Sequence, residues 1–366
     1  MKKRLLALLL CAALMAALPA AHAETGAVYT LVDEGGRTVA RFCGECDAGD
    51  EYISGDNRHY RVTAVDDAKK TAAVELLGDA DMPDVSWLDA DESVPVSAMG
   101  EKKIALYCTH SDESYEQGDG TESSEKSGGI YDVAQAFAEG LEKQGVTVEL
   151  SRETHNPHDA GAYRRSRQTA LQLLKAQPGA IFDIHRDGIP DPDEYTVTIG
   201  GTEMSKVRLL VGKSNQNKDA NLSFAKQIKA VADKVYPKLI KDIYIGKGTY
   251  NQDLSPRSVL LEFGTHTIAK KRVLASAAPM SEVVYKALYG GVIGSAGASD
   301  VSRSGEPAAA SESNEGSGAA IWLVVALVVG LGLFAVLSTG GKGAMGKFGR
   351  SVREMTGGLF GKKPNE

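Results

Sequence analysis

Three short apolar runs of this 366-residue chain each end on a side chain that can bind a metal or transfer a proton. These side chains are His110, His185 and Glu262. Apolar runs of this kind predict buried strands of an α/β sheet, and functional groups gather at the carboxyl ends of such strands. Glu113 follows His110 by three residues. We therefore expect four chemically active side chains to converge at one edge of a sheet.

Two histidines, one glutamate and an open position are the ligand set of a hydrolytic zinc ion. His110 and Glu113 can reach one ion from a single turn, and His185 can supply the third ligand. Zinc-bound water has a pKa of about 7, so hydroxide is available near neutral pH. Glu262 is the candidate acid/base that takes the proton of this water and returns it to the leaving amine.

Residues next to these four could also take part in the chemistry. Arg186 could stabilise a developing oxyanion or hold a substrate carboxylate. Asp187 could orient a ligand histidine or Arg186, as carboxylates around metal sites do. His266, four residues after Glu262, is either a substrate contact or a bystander.

The third metal ligand has rivals. Glu125 and Asp132 compete with Glu113, because an acid near the start of the following helix could also face the metal. His155 and His158 lie in a Thr-His-Asn-Pro-His-Asp segment. Their spacing could suit a metal, but the composition favours a solvated loop.

The composition is that of a globular protein and argues against one class of partner. Hydrophobic residues make up 43% of the chain and charged residues 24%, both ordinary values. The net charge of −7 is uneven, because residues 1–23 carry +3 and residues 340–366 carry +4. The part between them therefore carries −14. Such an acidic body argues against a nucleic-acid partner.

Both ends of the chain have the pattern of membrane-directed segments. Residues 1–23 combine a basic start, an apolar stretch and an Ala-His-Ala cleavage site, which predicts a signal peptide. Residues 318–339 carry no charge and are long enough for one transmembrane helix. The basic tail 340–366 that follows predicts a cytoplasmic C-terminus. The expected location is the cell membrane, with the catalytic domain on its extracytoplasmic side.

Between the two ends, the pattern of strands and helices predicts the fold class. Residues 24–79 alternate in short β-like runs and are expected to form a small all-β module, followed by an acidic linker at 80–100. Residues 101–292 alternate strand and helix, which predicts an α/β domain with a mixed, twisted sheet flanked by helices. Residues 293–317, rich in Gly, Ala, Ser and Glu, are expected to be a flexible stalk before the transmembrane helix.

Three cysteines follow the predicted signal peptide. Cys43 and Cys46 are either disulfide-bonded or two free thiols, because a C-x-x-C pair in an exported protein allows both. Cys108 lies in a predicted strand, and we expect it to be a small buried hydrophobe.

Four motifs follow one another along the catalytic region. They are Thr-His-Ser-Asp-Glu-Ser-Tyr (109–115), Ile-His-Arg-Asp (184–187), Tyr-Asn-Gln-Asp-Leu-Ser-Pro (250–256) and Leu-Leu-Glu-Phe-Gly (260–264). With the arginine-rich segment 163–167 between the first two, this set resembles the stage II sporulation protein P family over about residues 103–288. Residues 50–54 also resemble the region that precedes the catalytic domain in that family.

The resemblance implies a fold like that of zinc N-acetylmuramoyl-L-alanine amidases. It implies cleavage of peptidoglycan between glycan and stem peptide, with cleavage of peptide cross-links also associated with the family. It also implies action in engulfment during sporulation, with stage II sporulation proteins D and M. The zinc ligands carried over are His110, Glu113 and His185. Glu262 is then the catalytic acid/base, Tyr250 and Asn251 lie near the substrate groove, and we group Asp187 with these substrate-side residues.

Two features depart from the family pattern. Familiar members are anchored by an N-terminal helix, whereas the anchor predicted here is C-terminal. Glu262 is followed by Phe-Gly-Thr-His, where a Gly-Gly pair is usual.

Three functions remain open from the sequence. The leading hypothesis is a membrane-anchored zinc amidase of peptidoglycan. A zinc carboxypeptidase or endopeptidase of stem peptides fits the same residues, because H-x-x-E, a distant histidine and a late glutamate also describe that class. A non-catalytic wall-binding scaffold is the third, and it predicts that removal of Glu262 has no effect.

Overall fold

The computed structural model of the protein describes residues 26–89 and 101–290. The strands in these ranges are β1 (Val28–Val32), β2 (Thr38–Cys43), β3 (Glu51–Ile53), β4 (Arg58–Asp66), β5 (Thr71–Asp79), β6 (Lys103–Tyr107), β7 (Thr147–Leu150), β8 (Ala180–Asp187), β9 (Thr196–Ile199), β10 (Thr202–Ser205), β11 (Val207–Gly212), β12 (Ile240–Gly246) and β13 (Ser258–Thr265). The main helices are α1 (Ile130–Glu142), α2 (Ala162–Leu174), α3 (Lys218–Val235) and α4 (Lys270–Tyr289).

Eleven of these strands form one mixed sheet in the order β2-β1-β5-β4-β3-β12-β11-β13-β8-β6-β7. Strands β13, β8, β6 and β7 are parallel, and β11 and β12 run in the opposite direction. β9 and β10 form a separate hairpin. The parallel arrangement brings the carboxyl ends of β6, β8 and β13 to one edge of the sheet.

Helices cover both faces of the parallel part of the sheet. Ile104 and Leu106 of β6 join the core formed with α1, α3 and α4. Ala105 and Tyr107 of the same strand join a smaller core that includes Ala170 of α2. Because both faces of β6 are buried, the strand is apolar at successive positions rather than at alternate ones.

The predicted fold class needs a correction at its N-terminal part. The sequence predicts an all-β module in residues 24–79, but β3 pairs with β12, so β1–β5 continue the sheet of the α/β domain. Tyr52 is opposite Tyr244 in this pairing, and Ile53 is opposite Ile243. Strand patterns identify the buried face of each strand, whereas the choice of a neighbouring edge depends on tertiary packing.

The C-terminal transmembrane helix in the predicted fold class is also corrected. Across the ranges 26–89 and 101–290, no helix has the length and apolar character needed to cross a membrane. Residues 318–339, to which that prediction refers, lie outside the described residues, as do the predicted signal peptide, the stalk and the basic tail. The fold is therefore described as a mixed α/β domain with one large sheet.

The N-terminal strands curl back over the sheet towards the parallel strands. The ring of Phe42 in β2 stacks on Tyr244 of β12 with centroids 3.7 Å apart, although the two strands are far apart in the sheet order. Cys43 at the end of β2 reaches the chain just after β8, where a Cβ on Gly188 would lie 2.5 Å from the Cys43 sulfur. Gly188 therefore permits this close approach.

A buried arginine joins the N-terminal strands to the parallel part of the sheet. Arg208 of β11 is fully buried and donates to Asp187 at 2.8 Å and to Asp242 at 2.7 Å. Its Nη2 also donates to the carbonyl of Arg41 at 2.7 Å. Burial opposes charge on Arg208, but the two carboxylates hold its pKa well above the ordinary value, so the ion pairs persist.

We expect Arg208→Met to destabilise the protein by about 3–5 kcal/mol, because the substitution removes the guanidinium that the buried carboxylates of Asp187 and Asp242 share. The free energy of unfolding in urea measures this loss. Arg37→Met is the matched control, since Arg37 pairs with Asp33 at the surface and its side chain is 82% exposed. Equal stabilities of the two variants would contradict the prediction.

Candidate active site

The loop after β6 carries two of the predicted metal ligands and is held against β8. Thr109 donates from its backbone nitrogen to Asp183 at 2.8 Å, and from its hydroxyl to the same carboxylate at 2.6 Å. The backbone nitrogen of Glu113 then donates to the carbonyl of His110 at 3.2 Å, which closes a turn. This turn puts the side chains of His110 and Glu113 on the same side, facing the end of β8.

The structure brings His110, Glu113 and His185 together. Oε1 of Glu113 lies 3.2 Å from Nδ1 of His110 and 3.4 Å from Nδ1 of His185. One ligand atom from each residue lies within 4.8 Å of the others. The second oxygen, Oε2 of Glu113, accepts a hydrogen bond from the backbone nitrogen of Arg186 at 2.9 Å. Two imidazoles and one carboxylate therefore present the donor set that zinc prefers.

A glycine allows the Glu113 loop to pack tightly. A Cβ on Gly128 would lie 2.0 Å from the carbonyl oxygen of Glu113, too close for any other residue without a backbone shift. Gly128 also donates to the carbonyl of Ser111 at 2.8 Å. The segment before α1 thus supports the turn that carries the ligands.

The charges at this site are strongly coupled. Burial favours the neutral acid, but the charge of His185 and hydrogen bonds from both histidines hold the pKa of Glu113 well below its usual range. Burial also opposes charge on His185, but the carboxylates of Asp183 and Glu113 hold its pKa well above the usual range. Burial chiefly lowers the pKa of His110. The carboxylates of Asp183 and Glu113 therefore favour a positive charge on the His185 ring that lies between them.

Asp183 is a site residue that the sequence reasoning missed. Its Oδ1 lies 3.0 Å from Nε2 of His185, and its side chain is buried. A carboxylate behind a ligand histidine fixes the ring and makes it a stronger ligand. The available signal was an acid inside an apolar strand, two residues before His185 and therefore on the same face.

Glu262 lies beside the three ligand residues. It is opposite His185 on β8 and opposite Arg208 on β11. Its Oε2 is buried and has no hydrogen-bond partner in the described part of the chain. Burial, followed by the charge of Asp187, raises the pKa of Glu262 well above its usual range. A carboxyl group with one unpaired oxygen is thus available to exchange a proton next to the metal-ligand cluster.

Arg186 and Asp187 have partners other than those expected. The guanidinium of Arg186 donates to the carbonyls of Ser114 at 3.2 Å and Glu122 at 2.9 Å, so it fastens the loop after Glu113. Asp187 accepts from Arg208 at 2.8 Å and from the hydroxyl of Tyr195 at 2.6 Å. Asp183, rather than Asp187, has the position that orients His185.

Tyr250 and Asn251, two of the predicted substrate-side residues, lie next to the aromatic side chain of Tyr163. Tyr163 of α2 lies edge-on to His110 with centroids 5.5 Å apart, and Tyr250 lies edge-on to Tyr163 at 5.4 Å. The amide of Asn251 donates to the carbonyl of Tyr163 at 3.0 Å and to Ser166 at 3.1 Å. Asn251 thus fixes the start of α2, and Tyr163 and Tyr250 form one wall near the ligands.

Asp132 and Glu125, the alternatives to Glu113 as the acidic ligand, do not join the ligand group. Asp132 forms an ion pair with Lys270 at 2.5 Å. Among the described residues, the group of convergent donor atoms at the end of β8 includes neither Asp132 nor Glu125. His266 belongs to a second, more exposed group with Glu116 and Glu122. Its ring nitrogen lies 3.8 Å from Glu122.

The loop with two histidines is not simply solvated. His155 is buried, and its ring nitrogens lie 2.8 Å from the carbonyl of Cys108 and 2.8 Å from the hydroxyl of Thr169. The ring of His158 stacks on His110 with centroids 3.7 Å apart. The expected loop is solvent-exposed at Thr154, Pro157 and Asp159, but His155 is buried and His158 is partly covered, because both rings have partners within the fold.

The three described cysteines are free thiols. Cys108, one residue after the end of β6, is fully buried, as expected of a small hydrophobe. Burial raises the pKa of Cys43 to about 12 and that of Cys46 to about 11, so both thiols stay protonated at neutral pH.

Comparison with solved structures finds amidases, at low similarity. N-acetylmuramoyl-L-alanine amidase AmiC2 of Nostoc punctiforme is 13% identical, with a TM-score of 0.35 over 52% of this chain and 97% of that one. The CwlD amidase from Clostridioides difficile, in complex with the GerS lipoprotein, is 15% identical, with a TM-score of 0.32 over 52% and 96%. Similarity at this level does not establish an activity.

Comparison with protein families gives a clear assignment. The model of the stage II sporulation protein P (SpoIIP) family matches residues 54–285. Stage II sporulation protein P of Bacillus subtilis (strain 168) is 29% identical over 196 residues, which cover 48% of this chain and 49% of that protein. The chain thus spans about half the length of that curated relative. Because the family model matches more than half of the chain, as the four motifs predict, the protein belongs to the stage II sporulation protein P family.

Proposed function

We propose that this protein is a zinc-dependent peptidoglycan hydrolase of sporulation that cleaves the amide bond between N-acetylmuramic acid and L-alanine. The observation that carries the proposal is the convergence of two imidazoles and a carboxylate beside the unpaired Oε2 of Glu262. This arrangement combines a ligand set for zinc with an acid/base group. The family that the motifs indicate supplies the substrate class.

The residues fit a divalent cation. Oε1 of Glu113 lies within 3.4 Å of Nδ1 of both His110 and His185, and two imidazoles with one carboxylate are a donor set that zinc accepts. His110, Glu113 and His185 would hold the zinc. When bound, zinc lowers the pKa of a water ligand and polarises the scissile carbonyl.

Proton transfer and substrate positioning would be carried out by residues of the chain. Oε2 of Glu262 would accept the proton of the attacking water and then give it to the nitrogen of the departing L-alanine. The raised pKa of Glu262 suits the second step, because a carboxyl group that binds its proton more tightly is protonated nearer neutral pH. Tyr163 and Tyr250 offer an aromatic wall against which a sugar or stem peptide can lie.

The location and partners remain predictions from the sequence and its family. Peptidoglycan is reached only on the extracytoplasmic side, which the predicted signal peptide in residues 1–23 would explain. Stage II sporulation proteins D and M are the predicted partners in engulfment.

We expect Glu262→Gln to lower hydrolysis by about 10²- to 10⁴-fold, because the amide cannot accept the proton. The full chain and its variant are incubated with purified sacculi, and mass spectrometry identifies the released fragments. The wild type is expected to free intact stem peptides from glycan, and a chelator is expected to abolish the release. Zinc content is measured in parallel and is expected to be unchanged in the variant.

Glu75→Gln is the matched control for this experiment, since Glu75 is a half-exposed glutamate in β5. Full activity of Glu262→Gln would exclude Glu262 as the acid/base. Products that are only shortened stem peptides would favour the peptidase over the amidase. No release by a zinc-loaded wild type would contradict hydrolysis by the chain alone.

We expect Asp183→Asn to weaken zinc binding by about 10- to 100-fold, the range typical of carboxylates that support a ligand histidine. The asparagine keeps the shape, and its one carbonyl oxygen can still accept from the backbone nitrogen of Thr109, but the charge that faces His185 is lost. Competition with a chromophoric chelator measures the affinity. Asp193→Asn, outside the site in the segment before β9, is the control, and equal zinc affinity of the two variants would contradict the assigned role.

A further inference from the structure

We propose that His158 is a positioning residue for His110, because its ring, anchored by Asp112, stacks on the His110 ring and sets the direction of the Nδ1 ligand atom. The inference rests on the metal site of the proposed function and concerns a residue outside the ligand set.

The contact between the two rings is close and nearly parallel. Their centroids are 3.7 Å apart and their planes differ by 26°. The other rings around His110 are less closely packed, since His185 lies edge-on at 4.8 Å and Tyr163 edge-on at 5.5 Å. His158 therefore covers one face of His110, while the other two rings approach edge-on.

His158 is itself held in place by a carboxylate. Its Nδ1 lies 3.2 Å from Oδ1 of Asp112, whose side chain is only 7% exposed. Oδ2 of Asp112 accepts a hydrogen bond from the hydroxyl of Ser123 at 2.6 Å. Asp112 lies between His110 and Glu113 in the chain, so the turn that carries two ligands also carries the anchor of the stacked ring.

The two ligand histidines differ in what fixes their orientation. Nε2 of His185 lies 3.0 Å from Oδ1 of Asp183, an ion-pair distance, and has no hydrogen-bond partner among the described residues. Among the side-chain ion pairs of residues 26–89 and 101–290, the ring of His110 takes part only through Nδ1, with Glu113. A ligand histidine usually has an acceptor for its second nitrogen, which fixes the ring. The stacked ring of His158 supplies a comparable restraint on His110 by van der Waals contact.

A role of His158 as a fourth ligand is less well supported. Among the described residues, the group of donor atoms within 4.8 Å of one another contains His110, Glu113 and His185 and does not include His158. The face of the His158 ring, rather than a nitrogen, meets His110. The contact therefore fits ring packing better than coordination.

The test measures zinc affinity of the full chain by competition with a chromophoric chelator at one pH, in the absence of substrate. We expect His158→Ala to weaken zinc binding about 10-fold or more. His158→Phe keeps a flat ring and is expected to bind zinc within about threefold of the wild type. His158→Leu fills similar space without a flat ring and is expected to behave like the alanine variant. His59→Ala is the matched control, since His59 is a similarly exposed histidine paired with Glu51.

Each outcome decides the proposal. Weak binding by the alanine and leucine variants with recovery in the phenylalanine variant supports stacking. Unchanged affinity in all three overturns the proposal, and so does a phenylalanine variant as weak as the leucine variant, because a nitrogen of His158 would then be required. If the alanine variant does not fold, the phenylalanine and leucine pair still decides.

The failure of this inference is distinct from failure of the proposed function. The affinity measurement needs no substrate, so it can succeed even if the protein releases nothing from sacculi. If the wild type binds no zinc, or if His110→Ala retains the zinc that the wild type binds, the proposed metal site is wrong. The inference about His158 then fails with it.

Discussion

The buried carboxylate of Glu113 is the constraint on which the site depends. The residue is 2% exposed, and a buried carboxylate without partners is strongly unfavourable. Its partners come from two chain segments, since His110 belongs to its own turn, whereas His185 and the backbone nitrogen of Arg186 belong to β8. The end of β6 must therefore lie next to the end of β8. The same geometry that neutralises Glu113 creates the candidate metal centre.

A second layer of buried charge connects this centre to the N-terminal strands. Arg208, opposite Glu262 in the sheet, binds Asp187 and Asp242 and also the carbonyl of Arg41. Each donor has an acceptor, which is the condition under which buried ion pairs are tolerated. The strand that carries Arg41 thus supplies an acceptor for the arginine opposite Glu262. The N-terminal strands therefore support the candidate site as well as extending the sheet.

The sequence predicted which candidate ligands converge better than it predicted the residues that support them. His110, Glu113 and His185 could be named because strand ends and the H-x-x-E spacing are local signals, and strands of a parallel sheet bring their ends together. The continuation of β1–β5 into the main sheet was missed, because the edge that β3 joins depends on contacts remote in sequence. Asp183 lies two residues before His185, a local signal of a shared strand face that was not used. His158 was correctly placed in a loop, but its contact with His110 depends on tertiary packing and was missed.

The surroundings of Glu262 link its protonation to the occupancy of the neighbouring site. Burial and the charge of Asp187 favour the neutral acid, whereas the charges of His185 and Arg208 oppose this. A divalent cation held by Glu113 and the two histidines would add positive charge nearby, and an adjacent cation lowers the pKa of a carboxyl group. Glu262 would then become a competent base chiefly when the metal is present. With a cation bound, the unpaired Oε2 and the ligand cluster would act as one electrostatic unit, in which burial holds the proton on Glu262 and the added positive charge would favour its release.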